Sequence, residues 1–258
     1  MADTLFLSEF RQACGGGGCP FCNLAQARTR RYIGGLLYEY ATAPDIHRRL
    51  AQSRGLCNPH AWLLQSVAQA EEKDGMGVAI LYASVVSQMI SDLEELGDLR
   101  TPGARAARGR RPSGAAVIER MRAQGPCLVC EQQLEGERYT FRQFLDELDE
   151  VGADSPLIQA YRGSAGACLP HFRALMDGRP AEPVVEWLVA DQIRRLNELS
   201  EQLDTYILKH EVQHKGEPMG VERDSWIRVI EQCVGKRDVP ARMAEARCAE
   251  RGRSRCDC

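Results

Sequence analysis

The segment Cys19-Pro20-Phe21-Cys22 is followed, after 34 intervening residues, by Cys57-Asn58-Pro59-His60. The same order returns as Cys127-Leu128-Val129-Cys130, 37 intervening residues, and Cys168-Leu169-Pro170-His171. A chain carrying three cysteines and a histidine twice, in two close pairs each time, is constrained to bring those side chains together. Two residues between ligands let both side chains reach one ion while neighbouring backbone amides hydrogen-bond to the sulfurs, the arrangement that closes a tetrahedral metal site. The spacing predicts two Cys3His sites, Cys19, Cys22, Cys57 and His60 in the first half and Cys127, Cys130, Cys168 and His171 in the second. Zinc, two ions per chain, is the expected metal, with an iron–sulfur cluster as the alternative because cysteine is its usual ligand. The separated two-residue pairs favour zinc over the closely grouped cysteine run of bacterial ferredoxins.

Cysteine usage fits this reading. Six of the eleven cysteines belong to the motif, and the odd total argues against complete internal disulfide pairing. Cys14, Cys233, Cys248, Cys256 and Cys258 remain without an assigned role. The N-terminus lacks a basic leader followed by an apolar run, so a cytoplasmic protein is expected. The most apolar stretch, Val78 to Ile90, is short and interrupted by Ser84, Ser87 and Gln88, which suits a buried helix and not a membrane insertion. A net charge of −3 supplies no overall attraction to nucleic acid, leaving a protein partner as the expected kind of ligand for a scaffold.

Apolar residues recur at helical spacing through the chain, and no segment alternates long enough to make a strand, so an all-α fold is expected. Residues 1–98 read as a first helical metal-binding half and 117–235 as a second with a longer final helix. The segment 99–116, rich in Arg, Gly and Pro, reads as a linker, and 236–258 as a disordered tail. Helices are expected at about Asn23–Ala41, up to Ser53, from Cys57 onward and over Gly77–Leu96. The second half repeats the order and ends in a helix from about Pro183 to His210, with one last short helix near Trp226. The run Gly15–Gly18 is expected to be flexible. Because each long helix alone would leave a face apolar, the two halves are expected to share a core about a pseudo-twofold axis.

Two other motifs carry chemistry. Cys19-Pro20-Phe21-Cys22 matches the active-site frame of thiol oxidoreductases, but those present it after a β-strand and here a glycine run precedes it. His210-Glu211-Val212-Gln213-His214 matches H-E-x-x-H, with Glu222 or Glu231 as the third ligand of a zinc hydrolase. It falls at the polar end of a helix, where two histidines also serve simply as favourable charges at the C-terminus. No catalytic residue is assigned on that basis. The duplicated Cys-x-x-Cys and Leu-Cys-x-x-His segments resemble an uncharacterised bacterial family of helical proteins over about Cys19 to Gly235. Leu56-Cys57-Asn58-Pro59-His60 fits its pattern, and Ala167-Cys168-Leu169-Pro170-His171 departs at the residue before the cysteine. The resemblance implies the helical organisation and the metal sites, with no firm activity. A transport role, attached to some members, is not expected, because a solute-binding component should show export targeting and α/β lobes and a permease should show membrane spans.

Overall fold

The computed structural model describes residues 4–70, 75–97, 113–214 and 216–237. These residues are all-helical and contain no strand. The helices are α1 (Thr4–Gly15), α2 (Pro20–Tyr38), α3 (Pro44–Gln52), α4 (Asn58–Ala70), α5 (Met76–Gly97) and α6 (Gly114–Met121). They continue with α7 (Leu128–Glu150), α8 (Pro156–Arg162), α9 (Leu169–Asp177), α10 (Glu182–Leu208) and α11 (Ser225–Val234).

The chain divides into two compact units, and their boundaries lie elsewhere than in the expected linker. The first unit is Met1–Ala27 with Leu134–Cys258; the second is Arg28–Gln133. The divisions fall inside α2 and α7, so each of those helices supplies its first turns to one unit and the remainder to the other. Most of the 99–116 segment and of the 236–258 tail lies outside the described residues, and α6 begins within the former.

In the first unit, α1 carries Phe6, Phe10 and Ala13 into a core with Phe21, Phe144 and Tyr161. Sequence reasoning overlooked this helix, although the four- and three-residue spacing of its buried residues is helical. The rings of this core pack obliquely and edge-to-face: Phe10 to Phe21 at 5.5 Å, Phe21 to Phe144 at 5.3 Å and Phe144 to Tyr161 at 4.9 Å. Such pairs add about 0.5–1.5 kcal/mol each beyond area burial. The glycine run after α1 is an ordered turn and not a free tether. Gly17 and Gly18 take positive φ, and the Asn23 side-chain amide donates to the carbonyls of Ala13 at 2.8 Å and Gly17 at 2.7 Å.

The core of the second unit contains Ile33, Leu36, Leu50, Leu64, Leu81 and Leu128. α5 packs on α3, α4 and α6, burying Leu81 and Val85, while Leu93 is 41 % exposed. Asp92 is buried on this helix, 2.6 Å from Arg54 and 3.2 Å from Arg120. Burial works against the Asp92 charge, but hydrogen bonds from Arg54 and Gln88 and the two guanidinium charges hold its carboxyl below the usual range. Met76–Leu96 is long and apolar enough to cross a bilayer by length and composition alone.

Candidate metal centres

All four ligand pairs are built by the same local device. Cys19, Cys57, Cys127 and Cys168 each stand immediately before a helix, and the second member of each pair falls in that helix's first turn. The carbonyl of each leading cysteine accepts the first hydrogen bond of its helix, from Asn23, Ala61, Glu131 and Phe172 respectively. Prolines at 20, 59 and 170 occupy the first or second helical position, where a missing N–H costs nothing. The thiols therefore lie where free N–H groups and the helix dipole favour negative sulfur.

The chain brings these pairs together in an order different from the sequential one. Cys19, Cys22, Cys168 and His171 form one group, and Cys57, His60, Cys127 and Cys130 form the other; within each group the ligand atoms all lie within 4.8 Å of one another. The expected partition into Cys19, Cys22, Cys57 and His60 against Cys127, Cys130, Cys168 and His171 is thus corrected. Each Cys-x-x-Cys joins the Cys-x-x-His of the other motif copy. The physical reason is the path of α2 and α7. Each starts at one group and runs into the other compact unit, so the Cys-x-x-His that follows by sequence is delivered elsewhere. Each group lies wholly within one unit.

In the first unit His171 Nδ1 lies 3.5 Å from Cys19 Sγ, 3.3 Å from Cys22 Sγ and 3.2 Å from Cys168 Sγ, and the Cys22 and Cys168 sulfurs are 3.7 Å apart. In the second, His60 Nδ1 lies 3.2 Å from Cys57, 3.4 Å from Cys130 and 3.7 Å from Cys127, with Cys57 and Cys130 sulfurs 3.5 Å apart. An ion with bonds of about 2.3 Å to sulfur and about 2.0 Å to nitrogen in tetrahedral geometry sets S···S near about 3.8 Å and S···N near about 3.5 Å. The groups fit that figure. The sulfurs are far beyond the roughly 2.05 Å of a disulfide, and these cysteines are free. The donor set is what a divalent, thiophilic ion requires, and both groups could hold one.

Electrostatics without the ion show how crowded the thiols are. Burial opposes the Cys19 thiolate, but hydrogen bonds from Cys168 and Cys22 and the His171 charge lower its pKa well below the thiol value; Cys22 is driven far up by sharing protons with Cys168 and Cys19. Burial also opposes charge on His60, yet the Cys127 and Cys57 sulfurs outweigh it and push His60 up to about 9. Negative charge already gathers at the point where the ligand atoms converge. A metal ion held by these residues would supply the counter-charge and displace those protons.

The surroundings of the two groups differ. The first is buried at all four residues, whereas Cys57, Cys127 and Cys130 are only partly covered. The residues between the cysteines are core in both: Phe21 in one, Leu128 and Val129 in the other. Phe21 and Phe141 flank the His171 ring at 5.9 Å each, and its buried Nε2 finds no hydrogen-bond partner among the described residues. The Lys236 backbone N–H donates to Cys22 Sγ at 3.4 Å, and its ammonium reaches Asn23 Oδ1 at 2.9 Å. Sequence reasoning missed this contact, because it comes from a residue 214 positions away.

Backbone preceding each Cys-x-x-His is fixed in the same way. Gly55 and Gly166 take φ of +90° and +78°. The next amides, of Leu56 and Ala167, donate to the hydroxyls of Tyr82 at 3.3 Å and Tyr161 at 3.1 Å. Among the arginines near the motif, Arg54 is engaged by Asp92, and the Arg162 carbonyl accepts from Arg195.

Among the described residues the H-E-x-x-H segment assembles no third group of metal-ligating side chains. α10 ends at Leu208, so His210 and Glu211 lie in the turn beyond it and His214 in a following 3₁₀ turn. His210 Nδ1 is 2.7 Å from the Tyr206 carbonyl and His214 Nδ1 is 2.8 Å from Glu217. Glu222 pairs with Lys209 at 2.7 Å. Cys14 is half-buried, its thiol pushed up to about 11 by burial, and Cys233 is exposed; Cys248, Cys256 and Cys258 lie outside the described residues.

A profile of the Family of unknown function (DUF6062) matches residues 9–240. The chain belongs to this family. The DUF6062 match covers both candidate centres and every described helix except the first residues of α1. No curated protein and no solved structure matches the chain. The family carries no assigned activity, so the chemistry of this DUF6062 chain rests on its own geometry.

Proposed function

We propose that the protein is a helical scaffold holding two zinc ions in structural sites, one at Cys19, Cys22, Cys168 and His171 and one at Cys57, His60, Cys127 and Cys130. The observation that carries this reading is the convergence of four soft donor atoms on one point in each group, with every position filled by protein. A catalytic zinc keeps a coordination position open for water or substrate, and neither group offers one. An iron–sulfur cluster inserts several irons and sulfides between its ligands and spreads them further than ligands sharing one ion. The close mutual spacing therefore favours a single ion over a cluster. Structural zinc contributes about 10–16 kcal/mol to folding in small metal-dependent peptides, and here it clamps helix starts that are distant in sequence.

The scaffold is read as binding a protein partner. What supports this is the outward stripe of α5, where Met76, Val86, Ile90 and Leu93 are exposed at spacings close to helical repeats, an apolar face of the kind that binding covers. Elemental analysis of protein purified anaerobically, with its absorption spectrum, tests the metal reading. Two zinc ions per chain and no visible absorption are expected; iron with sulfide and a brown colour would contradict it.

A further inference from the structure

A cavity of about 400 Å³ lies on the first unit between α7 and the connection from α9 to α10. Its floor is apolar, with Phe141, Ala174 and Val184 buried and Leu145 beside them. Its rim is charged: Arg138, Arg142 and Arg179 against Asp146 and Asp149. Arg138, Arg142 and Asp146 follow one another at four-residue intervals along α7, where Arg142 and Asp146 could pair. They do not: among the described residues none of these five side chains enters an ion pair.

The connection passes close to α7: a Cβ on Gly178 would fall 2.8 Å from Leu145 Cδ1 and 3.0 Å from the Leu175 carbonyl oxygen. Arg179 takes a φ of +54°, the left-handed conformation that commonly closes a helix, and its N–H donates to the Met176 carbonyl at the end of α9. A concave apolar floor with a few convergent polar groups is the general form of a small-molecule site, and this volume falls within the roughly 300–1,000 Å³ such sites span.

We propose that this cavity binds a small organic monoanion with an apolar body. The apolar part lies on Phe141 and Val184, and the acidic group is held by the arginines, whose guanidinium forks suit a carboxylate. Three positive and two negative rim charges leave a surplus of one, which a monoanion neutralises and a polyanion would overshoot. The aspartates also accept from any amino or hydroxyl group on the ligand. Phe141 touches the His171 ring, so the floor of the cavity is one wall of the buried metal centre, but the binding groups are separate from the metal ligands.

The test uses the full chain with its native metal and 3-phenylpropionate as probe, with 3-phenylpropanamide as the neutral control, followed by ligand-observed NMR and calorimetry. Saturable binding of the acid at one site is expected, about tenfold weaker for the amide and for Arg142→Gln, as loss of a charged hydrogen bond implies. Ala181→Trp, at an exposed lining position, should abolish it by filling the mouth. Metal content measured alongside should stay constant throughout. No saturable binding, equal binding of acid and amide, or binding indifferent to both substitutions would overturn the proposal.

Discussion

A Cβ at Gly166 would fall 2.4 Å from Arg195 Nε, in a residue whose φ is +78°, and Arg195 is itself tied to Asp191 at 2.7 Å. Gly166→Ala should therefore cost about 1–3 kcal/mol in urea unfolding. Gly136, inside α7 with nothing near its Cβ position, should by contrast gain about 0.5–1 kcal/mol on change to Ala. Equal effects at the two positions would contradict the structure. Glu222 supplies a pH test. Hydrogen bonds from Lys209 and the Gly220 amide hold its pKa at about 2, below its value of 4.5 in an unperturbed chain. Its contribution is complete above about pH 4.5 and lost as pH falls through about 2, because the unfolded state then binds the proton more readily. Glu222→Gln should flatten the fall in stability between those limits; an unchanged slope would show that the pairing has no effect. His60 works in the opposite sense. Raised to about 9, it is protonated at pH 7 without metal and must lose that proton to ligate. Zinc titrations into metal-free protein, in buffers of differing ionisation enthalpy, should show proton release, and affinity should rise with pH up to about 9.

The eight cysteines and histidines that the structure gathers into two groups stand out in the sequence because thiol and imidazole at two-residue spacing ahead of a helix have few other uses. Their partition was not. The intervals of 34 and 37 residues are nearly alike, so either Cys-x-x-Cys could close with either Cys-x-x-His without a change in local spacing. Only the directions of α2 and α7 decide it, and direction is a tertiary property. α1 shows a different kind of miss: Phe6, Phe10 and Ala13 carry a helical pattern, but the glycine run that follows drew attention to flexibility. That run is fixed by the Asn23 side chain through two hydrogen bonds that no periodicity reveals. At the same scale, the two centres should differ in reactivity. Cys57, Cys127 and Cys130 are partly exposed, while Cys19, Cys22 and Cys168 are buried. Zinc release by a thiol-modifying reagent should be biphasic, with the fast phase lost in a Cys57→Ser, Cys130→Ser variant. A single phase would mean that burial does not govern access.

At the scale of the whole molecule, joining each Cys-x-x-Cys to the other copy's Cys-x-x-His turns two local motifs into long-range constraints. The first centre links residues 146 to 152 positions apart, and the second links residues up to 73 apart. A structural ion in such a place closes large loops, whose entropic cost grows slowly with length but must be met before the core can form. The proposed function therefore predicts that loss of metal weakens the unit that holds it. The exchanged partition, on which this rests, is tested most directly by counting bound zinc in two double variants. Cys19→Ser with Cys168→Ser removes two ligands of one centre and should leave one zinc per chain. Cys19→Ser with Cys57→Ser removes one ligand from each and should leave neither centre fully occupied. If instead the second pair of substitutions spared one zinc and the first spared none, the sequential partition would be correct and the exchanged one contradicted.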